Sequence, residues 1–404
     1  LLLISRDSCS FSGGTLGFDM YRIDIYQTTG TSAVQTVLFS PAITLRSWGK
    51  RINAAGKMVF SMQKFHEKAT EENLRHYRRV RLYRKKRDMS GEYEAVWFGY
   101  IEATNEVDNE IEVLCVGMLD LFLKRYTGGN ELFNGQGSTE AFGLLTDTNT
   151  NDENTGIVTG TGGVTTTRDL TMDSREILRA WEQLAQAHNA EFEIDDEGAF
   201  NFVPALGSDK SSIVTLTFRR DGQPGSNVNR INVGDDGRPM ANKIIGVSSG
   251  GSPITSTQSD AGSIAIYGKL IERKNFNDAN NQTTLDSITS SYLSQRANPI
   301  TDFRVEPTLA SKKFNPATGS NTVTGLQYND VFVGDLVTVH FITENRTVST
   351  TKRIAEITVD VDDNGHEESK FTLSESGVFI TAAFLDASAI EELKLKIKEI
   401  EAQL

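Results

Sequence analysis

Val96-Trp97-Phe98-Gly99-Tyr100-Ile101 and, shortly after it, Ile111-Glu112-Val113-Leu114-Cys115-Val116 decide how this chain is read. Both stretches carry the two-residue period of half-buried strands. The same period runs upstream, where Tyr21, Ile23 and Ile25 alternate with Arg22 and Asp24, and Met58, Phe60 and Met62 alternate with Lys57 and Ser61. It returns at Val80 and Leu82. Residues 17–126 therefore read as a mostly antiparallel β domain, preceded by an N-terminal arm over 1–16.

Moving outward, residues 127–167 are rich in Gly, Thr and Asn, as in Thr159-Gly160-Thr161-Gly162-Gly163, and read as a loop interrupted by a short helix around Ala141 to Leu145. Asp173 and Glu176 have N-cap spacing, and Ile177, Leu178, Trp181, Leu184 and Ala185 share one helical stripe that ends near Asn189. Phe192 and Ile194, the turn Asp195-Asp196-Glu197-Gly198, and Phe200 and Phe202 then predict a hairpin. Residues 127–208 thus form a loop plus a helix-hairpin insert.

Residues 209–299 are mixed, with strands over Ile213–Phe218 and Lys243–Val247 and a helix carrying Leu285, Ile288, Tyr292 and Leu293, closed by Asn298-Pro299. Over 300–380 the pattern is β again, at Phe303 and Val305, Leu336 to Phe341, Arg353 to Val361, and Phe371 to Leu373. The fold class is mainly β with minor α.

Residues 381–404 differ. Ser388 and Glu391 have capping-box spacing, and Ile390, Leu393, Ile397, Ile400 and Leu404 occupy successive a and d positions of a heptad. Ile at a with Leu and Ile at d leans toward oligomers above the dimer, three strands being natural. The competing reading is an amphipathic helix packed on its own domain, which Leu395 at an f position favours.

Composition bounds the function. The 404 residues carry 38% apolar and 24% charged side chains, 34 Gly and 8 Pro, a globular balance with room for two or three domains. A net charge of −13 argues against nucleic acid as an equilibrium ligand, although a negative wall would let passing phosphates slide without sticking. Cys9 and Cys115 provide no disulfide framework. No window approaches the roughly 20 apolar residues that span a bilayer, so neither a membrane anchor nor an export signal is expected. With no Met at position 1 and a heptad that stops mid-pattern, further chain is expected at both ends.

Candidate chemistry is thin. His66, His76, His188, His340 and His366 show no zinc-ligand spacing, and His188 reads as a core or capping residue. Asp360 to Gly365 matches half of a calcium loop, but Phe371 stands where its last ligand belongs, so a hairpin turn is the better reading. Gly246-Val247-Ser248-Ser249-Gly250 fits the hydrolase string without the helix that a nucleophile elbow needs. Asp195-Asp196 and Asp235-Asp236 sit beside Gly in turns, and no phosphate loop is present. No catalytic residue, metal or cofactor is expected.

One dense basic run, Arg75 to Arg87, stands out. With Val80 and Leu82 inward, Arg79, Arg81 and Lys85 would share an outer face, either simply solvated or a docking stripe for an acidic neighbour subunit.

Several strings together resemble the tail hub (tail-associated or baseplate hub) proteins of tailed bacteriophages. Trp97 to Glu102 followed by Ile111 to Phe122 is similar to the hub's strand pair. Asn242 to Val247 with Asp260 to Gly268 is similar to its middle, and Val333 to Val339 with Arg353 to Ile357 to its closing strands. The resemblance implies two β-barrel-like hub domains, 17–126 and 300–380, in a homotrimer that presents six modules to a hexameric tail tube. It implies a virion protein of the tail tip, assembled in the host cytoplasm. The implied partners are the distal tail protein, the tail tube, the fibre or spike and the tape measure protein, with DNA passing through the lumen. The C-terminal helix would begin a stalk. A receptor-binding adhesin and a β-rich polysaccharide-degrading enzyme are the alternatives; the first calls for an exposed aromatic face, the second for two opposed carboxylates in a cleft.

Overall fold

The computed structural model describes residues 20–27, 34–39, 42–85, 92–129, 131–152, 154–220, 225–248, 254–308, 311–315, 320–324, 331–344, 347–362 and 366–374. The predicted arm over 1–16 and the heptad helix over 381–404 lie outside them.

The alternating segments of the first third become β1 (Tyr21–Tyr26), β2 (Val34–Phe39), β3 (Ile43–Arg51), β4 (Lys57–Gln63), β5 (Arg79–Lys85), β6 (Tyr93–Val107) and β7 (Glu110–Gly117). Their pairing is antiparallel throughout, and Met58, Phe60 and Met62 are buried as their alternation requires.

The insert follows as β8 (Glu131–Phe133), α1 (Gly137–Asn151), β9 (Val158–Gly162), β10 (Leu170–Met172), α2 (Ile177–His188), β11 (Glu191–Ile194) and β12 (Ala199–Val203). Next come β13 (Thr215–Arg219), β14 (Val228–Asp236), β15 (Lys243–Ser248), β16 (Ile254–Ser259), α3 (Ala261–Tyr267), β17 (Ile271–Asn275) and α4 (Gln282–Arg296). The chain returns to β structure with β18 (Ile300–Pro307), β19 (Ser311–Asn315), β20 (Ser320–Thr324), β21 (Leu336–Ile342), β22 (Thr347–Val361) and β23 (Glu367–Ser374).

The mainly β reading with minor α holds. Strands from both ends of the chain enter one 13-stranded sheet, ordered β14-β18-β23-β22-β3-β4-β7-β6-β5-β1-β2, with β21 also on β22 and β13 parallel to β21. No pair of closed barrels is seen among the described residues; the path is open and shared. The physical reason is β22. At 15 residues it is long enough to pair with β21 through Arg353 and with β3 from Glu356, and a bulge between Ile354 and Glu356 bends it between the two tasks. Ile23, Trp48 and Phe60 accordingly share one core with Phe303, Val339 and Phe371.

A second core lies under the helices. Trp181 stacks on Phe200 with centroids 4.1 Å apart and packs on Phe122 at 4.6 Å, while Leu285 and Ile288 of α4 close the other side. Each such buried aromatic is worth about 1.5–3 kcal/mol.

The helix expected around Ala141 to Leu145 within the loop over 127–167 is present but longer than expected, since α1 spans 15 residues. Ala141, Leu144, Leu145 and Thr148 form a buried stripe, and the Trp181 indole donates to the Ala141 carbonyl at 3.0 Å. Thr146, Thr148 and Thr150 turn their hydroxyls back to carbonyls one turn earlier, so the polar run is absorbed by the helix. The N-terminus of α2 also differs from expectation. Glu176, not Asp173, is its cap residue, and the Ile177 amide is satisfied by the Arg125 carbonyl at 2.9 Å. Its end agrees: Asn189 adopts the left-handed conformation at φ 53°.

Candidate assembly interface

The residues that the sequence singled out lie on β5, between β1 and β6. Val80 and Leu82 point into the core as expected. The other face is not a solvated stripe. Arg79 and Arg81 are buried, and Lys85 is half-buried 5.9 Å from the Tyr93 ring.

The outward placement is therefore corrected, and for Arg81 the reason is the insert. Its guanidinium donates to the Glu197 carbonyl at 3.1 Å, lies 3.6 Å from the Glu197 carboxylate, and stacks 4.8 Å over Phe98. Lys50 reaches Asp196 of the same turn at 2.5 Å. The acidic neighbour that Arg81 meets within this chain is thus the predicted hairpin turn, held by Asp195 Oδ1, which accepts from the amides of Glu197 and Ala199.

Arg84 was not distinguished by the sequence reading. It points to the core side of β5, where its Nε donates to Glu367 Oε1 at 2.7 Å, both side chains being almost completely buried. Tyr21 Oη donates to the same carboxylate. Burial opposes the charge on Arg84, but hydrogen bonds and the charge of Glu367 raise its pKa above the ordinary value; burial, helped by Glu367, pushes the Tyr21 phenol up as well. An arginine in phase with Val80 and Leu82 was the available signal. It revealed an inward charge but not its partner.

The seam between the first and last strand groups is built as tightly. Gly49 leaves room for the Ile357 carbonyl, which a Cβ would meet at 2.9 Å, and its own carbonyl accepts from the Trp97 indole at 3.1 Å. Beside it Arg51 pairs with Glu356 at 2.6 Å.

The insert is pinned to both groups. Asn53, at φ 54°, accepts the Phe192 amide at 2.8 Å. Arg353 of β22 donates to the fully buried Glu191 at 2.8 Å and to the Leu206 carbonyl at 2.6 Å. Gly207, at φ +72°, crosses Gly334 so closely that a Cβ would lie 2.3 Å from its carbonyl carbon, and Asp335 accepts the Ser208 amide while pairing with Lys210 at 2.8 Å.

These contacts hold shape; the chemical candidates have structural employment too. Ser248 of the hydrolase-like string is buried at the end of β15 and donates to the Ala279 carbonyl at 2.6 Å. His188 is buried with Nδ1 2.9 Å from the Thr166 hydroxyl, and burial together with the Arg168 charge lowers its pKa to about 4. Asp362 and His366 bracket the β22–β23 turn, whose residues 363–365 lie outside the described set. A cleft of about 680 Å³ runs over β3, β22, β23 and β18, but Glu356 and Asp360 along it are committed to Arg51 and Lys370. No group of three or more metal-ligating side chains converges among the described residues.

The shape itself has relatives. A tail protein from Neisseria meningitidis superposes with a TM-score of 0.58 at 10% identity, covering 89% of this chain and 97% of the other. The 43 kDa tail protein of prophage MuSo2 from Shewanella oneidensis gives 0.57 at 14% identity, covering 89% and 99%. The fold is that of phage tail proteins. A third tail protein, gp18 of a Listeria monocytogenes prophage, gives 0.54 at 11% identity and covers 93% and 99%. No family model and no curated protein matches the sequence. The resemblance read from the strand strings is borne out by these tail proteins at the level of fold, with identities too low for sequence matching to detect.

Proposed function

We propose that this chain is a non-enzymatic structural hub of a phage tail tip, three copies forming a ring between the tail tube and the fibre or spike. The observation that carries the reading is the end-to-end likeness to three tail proteins, two of them from prophages, which leaves almost none of their length and little of this chain unmatched. The internal architecture supports a role held by shape, since the pairs Arg81–Glu197, Arg84–Glu367 and Arg353–Glu191 fasten the insert and the two strand groups to one another.

In this reading residues 17–126 and 300–380 supply two modules per chain, so three chains offer six positions to a six-fold tube. The distal tail protein, tail tube, fibre or spike and tape measure protein are the neighbours, and the protein belongs to the virion after assembly in the host cytoplasm. A net charge of −13 suits a lumen through which DNA passes without lodging.

Light scattering on the purified chain tests the reading. A mass of three times 44.5 kDa, with a central passage in particle images, is expected. A particle of 44.5 kDa at every concentration would overturn it.

A further inference from the structure

Two exposed surfaces have complementary character. The first is an arm. Beyond Ile101 the long strand β6 runs on past the end of its pairing with β5, still on β7 and through it on β4, and every residue from Glu102 to Glu110 is exposed. Asp108 turns the arm at φ 51° and β7 pairs back along it. It displays Glu102, Glu106, Asp108, Glu110 and Glu112 together with two exposed apolar side chains, Val107 (52%) at its tip and Phe65 (84%), the latter tied in by the Lys64 amide on the Asn109 carbonyl at 2.8 Å. Lys64 and Arg46 engage Glu106 and Glu110. Glu102, Asp108 and Glu112 make no ion pair among the described residues. No described strand pairs with the outer edge of β6 beyond Ile101.

The second surface is the end of the small sheet β16-β15-β17. β17 bonds to β15 on one side, and no described strand covers the other. Helix α3 before it buries only Ser263, leaving Ile266 (72%) and Tyr267 exposed, followed by Leu270 and Ile271. Lys269, Arg273 and Lys274 are exposed on the same segment, and neither Lys269 nor Arg273 has an ion pair among the described residues. An open strand edge beside an uncovered apolar patch is what soluble proteins ordinarily avoid.

We propose that the acidic β6–β7 arm of one copy docks on the basic, apolar α3–β17 edge of another. The inference rests on the self-association reading and assigns it a contact. A second copy is the occupant because one chain carries both halves: acids together with apolar side chains on the arm, bases together with apolar side chains on the edge, and an unpaired strand margin on each. Arm and edge are different surfaces, so the contact is head-to-tail and its repetition generates a ring where the rotation closes.

Charge reversal tests the contact in the full chain. Glu102→Lys with Asp108→Lys reverses the arm, and Lys269→Glu with Arg273→Glu reverses the edge; all four side chains are exposed, and thermal melts check that both variants fold. Each is expected to weaken self-association about tenfold or more by sedimentation velocity. A single chain carrying all four reversals, whose arm and edge are again complementary at every contact of the ring, is expected to associate again. An assembly indifferent to both reversals, or one that the fourfold reversal fails to restore, overturns this docking while leaving the ring reading intact. A wild-type chain that stays at 44.5 kDa overturns both.

Discussion

Arg84 and Glu367 meet in the interior although 283 positions separate them, with side chains 2% and 3% exposed and Nε 2.7 Å from Oε1. The pair joins β5 to β23, one strand from each end of the large sheet's contributing sequence. Removing one partner leaves an uncompensated buried charge, which costs about 3–5 kcal/mol. Arg84→Met is therefore expected to lower the denaturation midpoint in urea sharply, and Arg84→Met with Glu367→Leu to recover much of the loss. A double variant as unstable as the single one would show that the pair contributes geometry no apolar packing replaces.

Arg81 offers a contrast, since it bonds the insert turn and not a core carboxylate. Arg81→Ala is expected to cost about 1–3 kcal/mol through the lost charge-assisted bond and the stacking on Phe98. Its local signature is faster hydrogen exchange across β11 and β12, measured by mass spectrometry. Unchanged exchange there would mean the turn is held without Arg81.

How much was legible follows from which forces are local. The strands of the first third could be read because one face is buried, so that Met58, Phe60 and Met62 report a surface that the next residues cannot share. Helix α4 was legible in the same way through Leu285, Ile288, Tyr292 and Leu293, all buried. Helix α1 was legible only in its middle, as a short helix around Ala141 to Leu145, because its stripe is diluted by Thr and Asn and the side chain that organises it, Trp181, comes from another helix. The face of β5 failed for a related reason: alternation predicts two faces but not that a turn 116 residues away will cover one. A long strand that serves two neighbours, as β22 does, leaves no mark in a two-residue period, so the shared sheet was out of reach.

His188 makes stability depend on pH. Its pKa in the folded chain is lowered to about 4 by burial and Arg168, whereas an unfolded histidine titrates near about 6.5. The unfolded chain binds the extra proton between these values, so this contribution is fully present above about pH 6.5 and is lost as the pH falls toward 4. The full amplitude is up to about 3 kcal/mol. Comparing urea midpoints at neutral and mildly acidic pH for wild type and His188→Gln checks this, since the variant should flatten that part of the profile. Parallel profiles for the two chains would assign the acid sensitivity elsewhere.

The heptad at the C-terminal end, outside the described residues, makes a separate claim on assembly. Ile390, Leu393, Ile397, Ile400 and Leu404 recur at a and d, and a seam of this kind buries each of them against its copies. About two heptads cannot hold a coiled coil alone, so the seam would act only where other contacts have already raised the local concentration of helices. Replacing Ile397 and Ile400 by Asp places charges in that seam and is expected to weaken self-association while leaving the melting of the β core unchanged. Light scattering across a dilution series reads the first effect and circular dichroism the second. An oligomer of unchanged mass and dilution behaviour would return the helix to its competing role, packed on its own domain through a face that includes Leu395.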